Sequence, residues 1–323
     1  MDGKRCRMAR GGSDRADTRP SSSGLECAHR GAPLLRVEGL SIGFRMYDED
    51  ASSFFRAHRR ERKVIDGLSL SIDRGEIVAI VGASGSGKTL LANAVMGSFE
   101  PNAVVSGDIW FEGRHMDADA LVAARGTGIA LVPQSVAFLD PLMKVGRQVE
   151  GSFASEDAEG RRARREELFD RYRLDKRVAD LYPFELSGGM ARRVLLCCAL
   201  IDHPSLIIAD EPTPGLDLPL ALKALEDFRA FADTGGGVLL ITHDIELALQ
   251  AADRVAVFKD GTVVEEVPVS CFDDPALLSH PFSRALWHAL PAHGFNVEDR
   301  RGQAAAGKPE DIAADRVDAG KER

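Results

Sequence analysis

The sequence lacks any hydrophobic run that approaches the roughly 20 residues needed to cross a bilayer. Its basic N-terminus also lacks the apolar core of a secretion signal. Cysteine is scarce, and the five cysteines form no C-x-x-C or other metal-binding spacing; their odd number argues against a disulfide framework. These absences predict a soluble protein with reduced cysteines, or one that is attached to a membrane only through a partner.

Basic residues are outnumbered, with 41 Lys and Arg against 50 Asp and Glu and a net charge of −9 at pH 7. This balance argues against a general nucleic-acid binder, because such proteins are usually basic. Polar composition predicts disorder in an N-terminal extension over residues 1–33 and in a tail over residues 298–323. Between them, strand-length apolar runs alternate with helical patterns, which predicts an α/β protein with a largely parallel sheet.

Two polar segments interrupt this alternation. The Arg-rich stretch from Arg45 to Lys63 separates two strand patterns, and we expect a solvated loop there, with a partner contact as the alternative. Charges also dominate Glu156 to Arg173 at helical spacing. That spacing predicts a solvated helix, within a helical segment of about residues 135–200.

One glycine-rich segment matches a nucleotide-binding loop at every fixed position. The pattern G-x-x-x-x-G-K-[ST] is met by Gly82, Ala83, Ser84, Gly85, Ser86, Gly87, Lys88 and Thr89. A β-branched run precedes it and a helical run follows it, so the free N–H groups of the turn and the helix N-terminus form an anion site. Lys88 is predicted to reach the β- and γ-phosphates, and the Thr89 hydroxyl to hold Mg²⁺. The alternative is a glycine-rich turn that binds nothing.

A second strand pattern ends in two carboxylates. The apolar run over residues 206–209 is followed directly by Asp210 and Glu211. A buried strand beside the glycine-rich loop would deliver Asp210 to Mg²⁺, directly or through water, and Glu211 to the water that attacks the γ-phosphate. Taken alone, these two residues would equally suit an ordinary turn.

Three further features complete the constellation. Ser187, Gly188 and Gly189 open a helical run, where a helix N-terminus offers a second anion site that would serve a nucleotide held by a partner subunit. Gln134 follows a strand, at a position suited to contact Mg²⁺ or the attacking water. His243 follows another strand and is placed to reach the γ-phosphate from the carboxyl edge of the sheet. A plain helix cap and a structural histidine are the alternatives for Ser187 and His243.

The order of these motifs resembles that of the ATP-binding cassette (ABC) transporter ATPases, over roughly residues 34–290. The resemblance implies a P-loop NTPase fold of the ABC type over residues 34–272, with a RecA-like core, an antiparallel β subdomain and a helical subdomain. It implies that Gln134 couples to the membrane subunit and that the signature, Leu186 to Met190, contacts ATP in trans. By the same resemblance, Asp217 belongs to the dimer-contact loop and His243 is the switch histidine, so that Glu211, His243 and Gln134 are the expected catalytic residues.

The resemblance also implies ATP and Mg²⁺ as cofactors, with Thr89, Gln134 and Asp210 as the metal ligands. It implies a head-to-tail dimer with a second ABC ATPase subunit, a paralogue rather than a copy of this chain. Two transmembrane permease subunits and an extracytoplasmic solute-binding protein are the other expected partners, and no nucleic acid is expected. This assembly would place the chain at the cytoplasmic face of the inner membrane.

Departures from the common family pattern resemble the peptide/nickel importer branch. The signature ends in Met190 rather than Gln, the dimer-contact loop begins with Gly215 rather than Ala, and Thr89 is followed by Leu90 rather than a second hydroxyl. The segment over residues 273–297 contains the run HPFSRAL, which resembles the tail of that branch. Peptides, nickel and related small solutes all remain open as the cargo.

Leu90 is included among the residues expected to contact nucleotide. The adenine-stacking aromatic is assigned to Phe44, which follows the first strand, with Tyr47 as its competitor. A soluble ABC-type ATPase that acts on DNA or on the ribosome is the alternative function. Relatives of that kind usually carry coiled-coil arms, zinc hooks or two cassettes in one chain, whereas this sequence predicts one cassette. A kinase would not need the second anion site at Ser187.

Overall fold

The computed structural model describes residues 32–47, 59–83, 85–151 and 158–290. The strands are β1 Leu35–Tyr47, β2 Arg59–Ile72, β3 Ile77–Gly82, β4 Ala103–Phe111, β5 Arg114–Met116, β6 Ile129–Val132, β7 Leu206–Asp210, β8 Gly237–Thr242, β9 Arg254–Lys259 and β10 Thr262–Pro268. The helices are α1 Lys88–Val95, α2 Ala118–Ala123, α3 Val145–Glu150, α4 Ala158–Arg171, α5 Gly188–Leu200, α6 Leu218–Asp233, α7 Ile245–Ala251 and α8 Pro281–His288. The predicted tail 298–323, Ser84 and all but the last two residues of the predicted extension 1–33 lie outside the described residues.

A six-stranded sheet in the order β10-β9-β3-β8-β7-β6 runs through the centre of the described region. Pairing is parallel from β9 through β3, β8 and β7 to β6, and only β10 joins antiparallel. Every residue of β3 is buried, because this strand is covered on both faces. Ile77 and Val81 pack into one core and Val78 and Ile80 into the other, as the two-residue period of a strand requires. The predicted parallel α/β sheet is confirmed.

A smaller antiparallel sheet, in the order β2-β1-β4-β5, covers one face of the central sheet together with α1. The prediction of a solvated loop from Arg45 to Lys63 is wrong at both ends of that segment. Strand β1 continues to Tyr47 and β2 begins at Arg59, and these two residues are paired. Only residues 48–58 remain between the two strands, and they lie outside the described residues.

A helical layer formed by α3, α4 and α5 packs on the opposite face of the central sheet. Only Leu168 and Phe169 are buried on α4, so the helix predicted from the charges of residues 156–173 is present and largely solvated. The layer is joined to α6 by a buried hydrogen bond from the Tyr172 hydroxyl to the Asp227 carboxylate. Arg171 adds an ion pair to the same carboxylate, and burial raises the pKa of Tyr172.

The last described helix, α8, is anchored at the edge of the central sheet through the residues that precede it. Its N-cap is His280, and the Trp287 indole nitrogen donates to the carbonyl oxygen of Phe272 at 2.7 Å. The Glu265 carboxylate on β10 accepts from the backbone N–H groups of Ser279 and His280. Among the described residues, none of the helices combines the length and the apolar character that a bilayer crossing requires.

Candidate nucleotide-binding site

The glycine-rich loop leaves the carboxyl end of β3 and enters α1, as predicted. A Cβ on Gly82 would stand 2.2 Å from the carbonyl oxygen of Phe258 on β9, so a larger residue would separate the two paired strands. Gly87 is the N-cap of α1 at φ 109°, a conformation that costs glycine little and other residues much. These two positions explain why the turn needs glycine at its start and at its end.

The side chain of Lys88, the first residue of α1, folds back onto the glycine-rich loop. Its ammonium donates to the carbonyl oxygens of Gly82 and Ala83, both at 2.9 Å. Burial lowers the pKa of Lys88, and the charges of Glu211 and Asp210 oppose that shift. A partly desolvated cation at a helix N-terminus is an environment that favours a polyanionic ligand.

Asp210 is the last residue of β7, and it lies beside the loop because parallel strands end at the same edge of the sheet. The Thr89 hydroxyl hydrogen-bonds to its carboxyl group. Its Oδ1 atom is buried and has no hydrogen-bond partner within the described part of the chain. Burial raises the pKa of Asp210, and Glu211 adds to the increase, while Thr89 and Lys88 oppose it. An orphaned carboxylate oxygen beside a hydroxyl is a donor set that fits a hard cation such as Mg²⁺.

Glu211 is held in a left-handed backbone conformation at φ 51°. Such a conformation costs a non-glycine residue about 1–2 kcal/mol and is concentrated at functional sites. Its backbone N–H donates to the carbonyl of Ile241 at 2.8 Å, and its Oε2 lies 2.8 Å from Nδ1 of His243. The carboxylate is nearly buried whereas the imidazole is 61% exposed. The two catalytic candidates from neighbouring strands therefore meet in the folded chain.

The predicted metal ligands and Gly85, Gly87 and Lys88 of the glycine-rich loop line one cleft of about 260 Å³, whereas Gly82, Ala83 and Ser86 do not line it. Gln134, an exposed residue in the loop after β6, also lines this cleft. The lining residues are Val64, Gly85, Gly87, Lys88, Thr89, Leu90, Gln134, Asp210 and Glu211. The cleft thus combines a cation, an anion-binding loop, two carboxylates and an amide, which is the equipment for binding and hydrolysing a nucleoside triphosphate.

Phe44 lies in an adjoining cavity of about 120 Å³ rather than in the cleft itself. Its half-buried ring packs with the core between the two sheets, and Leu90 lines both cavities. The side chain of Tyr47, the competing candidate, lies outside the described part of the structure. Adenine stacking on Phe44 therefore remains a prediction.

The signature residues occupy a different place. Ser187 is the N-cap of α5, where its Oγ accepts from the Met190 N–H at 3.3 Å, and Gly188 and Gly189 begin the helix. A Cβ on Gly189 would lie 3.3 Å from the carbonyl oxygen of Gly215, so the signature and the dimer-contact loop are adjacent.

Asp217 in that loop caps α6, since its carboxylate accepts from the Leu220 N–H at 2.9 Å. Neither Ser187 nor Asp217 lines the cleft around Lys88 in this chain. If these two residues contact a nucleotide, as predicted, it would be one that is not bound in the cleft around Lys88 of the same chain.

Sequence reasoning missed two contributors to the site. Val64 on β2 lines the cleft, although nothing in an apolar strand residue signals such a position. Arg192 on α5 donates from one guanidinium nitrogen to the backbone carbonyls of Gln134, at 2.6 Å, and Glu211, at 3.2 Å. The sequence does not distinguish Arg192 from its neighbour Arg193, whose guanidinium donates to backbone carbonyls outside the cleft.

Fold and cleft together define a nucleoside triphosphatase of the phosphate-loop class. Residues 65–214 match the family model described as "ABC transporter". The oligopeptide transport ATP-binding protein OppD of Lactococcus lactis subsp. cremoris is 35% identical over 76% of this chain and 75% of its own length. The OppD protein of Bacillus subtilis is 34% identical over 86% of this chain and 77% of its own length. The chain belongs to the ABC transporter family, and it is an ATP-binding, ATP-hydrolysing cassette.

Solved structures support the same assignment of the fold. A dimeric bacterial ABC transporter cassette superimposes with a TM-score of 0.60 and 27% identity, over 73% of this chain and 99% of its own. The post-hydrolysis state of an ATP-binding cassette bound to ADP and Pi gives a TM-score of 0.59 and 26% identity, over the same shares of the two chains. The P-loop NTPase fold of the ABC type, predicted from the motifs, is confirmed.

The raised pKa of Asp210 leads to a prediction with opposite effects on stability and activity. Asp210→Asn is expected to stabilise the nucleotide-free protein at neutral pH by about 1 kcal/mol, because it removes a buried charge that serves function. The gain should disappear in acid, since a carboxyl group with a raised pKa is neutral in both the folded and the unfolded chain at low pH. Mg²⁺-dependent ATP hydrolysis should be lost. Thermal unfolding across pH and phosphate release measure the two effects.

The matched control is Asp108→Asn, which changes an exposed aspartate on β4 that pairs with His115. It should not raise the melting temperature, since loss of an exposed pair costs about 0–1 kcal/mol of stability, and it should leave the rate of hydrolysis unchanged. Destabilisation by Asp210→Asn at neutral pH would contradict the proposed burial cost.

Proposed function

We propose that this chain is the ATPase subunit of a peptide importer. The observation that carries the proposal is the division of the site: Lys88, Asp210 and Glu211 line one cleft and His243 bonds to Glu211, while Ser187, the N-cap of α5, does not line that cleft. Each chain would then supply half of two composite sites in a head-to-tail dimer. The similar solved cassettes described above are dimeric, which supports this arrangement, and the second subunit is proposed to be a paralogue.

The chemistry of one site follows from its charges. Lys88 and the loop N–H groups hold the β- and γ-phosphates, and Glu211 orients and polarises the attacking water. His243 holds the Glu211 carboxylate from the neighbouring strand end. When bound, Mg²⁺ would be held by Thr89, Asp210 and Gln134 and would neutralise phosphate charge. A closed dimer would depend on the γ-phosphate, and its release would let the two halves separate.

The membrane partners are proposed to dock on the segments that precede α3 and α5. Several large apolar side chains there are exposed, among them Phe138, Leu142 and Phe184, and Phe184 stacks on Tyr182. The segments that carry them are joined by a hydrogen bond from the Val145 N–H to the Leu181 carbonyl at 2.9 Å. Exposed apolar surface on the segment that follows Gln134 in the chain suits a permease subunit, because such surface commonly marks an interface. Two permeases and a solute-binding protein would complete an importer at the cytoplasmic face of the membrane.

Peptides are the cargo that the relatives favour over nickel. Besides the two OppD proteins, the glutathione import ATP-binding protein GsiA of Pectobacterium atrosepticum is 35% identical over 75% of this chain and 41% of its own length. All three names describe carriers of peptide-bonded substrates. The acidic net charge and the single cassette do not favour the alternative of an ATPase acting on DNA or the ribosome.

Reconstitution tests this function directly. The chain is assembled in vesicles with candidate permeases and a second cassette from the same organism, and the vesicles are supplied with a candidate solute-binding protein. We expect ATP hydrolysis to rise on addition of peptide-loaded binding protein, together with uptake of labelled peptide. Uptake of nickel without peptide would overturn the proposed cargo. Stimulation by DNA or ribosomes, with no uptake of any solute, would overturn the importer itself.

A further inference from the structure

Arg192 lies near the N-terminal end of α5, and its guanidinium reaches two loops of the nucleotide cleft. One terminal nitrogen donates to the carbonyl oxygen of Gln134 at 2.6 Å and to that of Glu211 at 3.2 Å. Burial lowers the pKa of Arg192, and the charge of Glu211 opposes the shift. Because both acceptors are backbone atoms, the contact fixes the course of the two loops rather than neutralising a carboxylate.

The backbone at Glu211 is well suited to such control. Its left-handed conformation persists only if the surroundings hold it in place. The N–H of Glu211 is held by Ile241 on β8, and its carbonyl is held by Arg192 on α5. The central sheet therefore holds the backbone N–H of Glu211, and the helical layer holds its backbone carbonyl.

We propose that Arg192 is a positioning residue for ATP hydrolysis, which couples the placement of α5 to the backbone of Glu211 and to the Gln134 loop. The same helix carries the signature residues at its N-terminus, so a displacement of α5 acts on all three elements at once. Arg192 itself does not line the nucleotide cleft, which it reaches only through the backbone carbonyls of Gln134 and Glu211. This inference rests on the roles proposed above for Glu211 and Gln134.

Arg193 provides a matched control on the same helix. Its guanidinium also bonds only to backbone carbonyls: those of Gly189, at 3.1 Å, and of Tyr172 and Arg173, both at 3.0 Å. None of these acceptors lines the cleft around Lys88, although Gly189 belongs to the signature. Removing Arg193 should therefore lower the stability of the helical layer. Removing Arg192 should instead break the link between that layer and the backbone of Glu211.

The test compares Arg192→Gln, Arg192→Lys, Arg193→Gln and Glu211→Gln in the assembled transporter. Arg192→Gln is expected to lower kcat by about 10- to 100-fold, the effect of a misplaced catalytic group, with the KM for ATP unchanged. Amide hydrogen exchange should become faster at residues 134–136 and at Glu211 and Thr213. Arg192→Lys should recover part of the rate, because an ammonium can still reach one carbonyl. Arg193→Gln should lower the melting temperature and leave exchange at residues 134–136 and at Glu211 unchanged.

A wild-type kcat for Arg192→Gln would overturn the inference. So would a loss of kcat without faster exchange at Glu211, or faster exchange at Glu211 that Arg193→Gln reproduces, because either result would mean a structural role alone. The proposed function is judged separately by Glu211→Gln. If that variant hydrolyses ATP normally, the role of Glu211 fails and the inference fails with it, whereas an inactive Glu211→Gln beside a fully active Arg192→Gln overturns only the inference.

Discussion

Glu211→Gln is expected to bind ATP as tightly as the wild-type chain and to hydrolyse it about 1,000-fold more slowly or worse, a barrier increase on the order of 4 kcal/mol. The amide has nearly the shape of the carboxylate, so the cleft and the contact near His243 should persist. What disappears is the negative charge that polarises the attacking water. Because the γ-phosphate then remains bound, the variant should accumulate as a closed dimer with its partner subunit in the presence of ATP.

Three measurements check this expectation: equilibrium binding of a fluorescent ATP analogue, phosphate release, and gel filtration with and without ATP. The matched control is Glu226→Gln, the same substitution at an exposed position of α6, which should leave all three unchanged. Near-normal phosphate release from Glu211→Gln would remove Glu211 from the catalytic role. Loss of ATP binding would instead mean that the carboxylate supports the cleft itself.

Ser187→Arg is expected to leave nucleotide binding by the isolated chain intact and to abolish turnover in the assembled transporter. Ser187 caps α5 and does not line the cleft around Lys88, so the bulky side chain should not disturb ATP bound to its own chain. In the proposed dimer, however, the arginine would fill the space that the opposing nucleotide needs. ATP affinity of the isolated chain and hydrolysis by the complex separate the two effects.

The control is Ser187→Ala, which removes the cap without adding bulk. Loss of an N-cap typically costs about 1 kcal/mol of stability, and Ser187→Ala should keep much of the turnover that Ser187→Arg loses. If Ser187→Arg instead destroyed ATP affinity in the isolated chain, the signature would act within its own subunit. The proposal of composite sites would then be wrong.

The parts of the site that lie close together in sequence could be predicted from it. The glycine-rich loop is one continuous segment, and its geometry follows from the positions of Gly82, Gly87 and Lys88. The meeting of Asp210, Glu211 and His243 was also predictable, because carboxyl ends of neighbouring parallel strands share one edge of a sheet. Turn chemistry and strand direction are enough to place these groups.

Other features depend on long-range packing that a single sequence does not reveal. The pairing of Tyr47 with Arg59 requires the register of two strands separated by a polar segment, and composition alone favoured a loop. The opposite directions taken by Arg192 and Arg193 depend on where α5 rests against the sheet. The left-handed backbone of Glu211 arises from its bonds to Ile241 and Arg192 rather than from its own preference.

The buried bond between Tyr172 and Asp227 fastens the helical layer to α6, and Arg193 on α5 also bonds to the carbonyl of Tyr172. Separating Tyr172 from Asp227 would leave a buried hydroxyl without its partner, which is costly in free energy. A rearrangement of the layer on ATP binding is therefore expected to preserve this contact and to move the segments that lie around it.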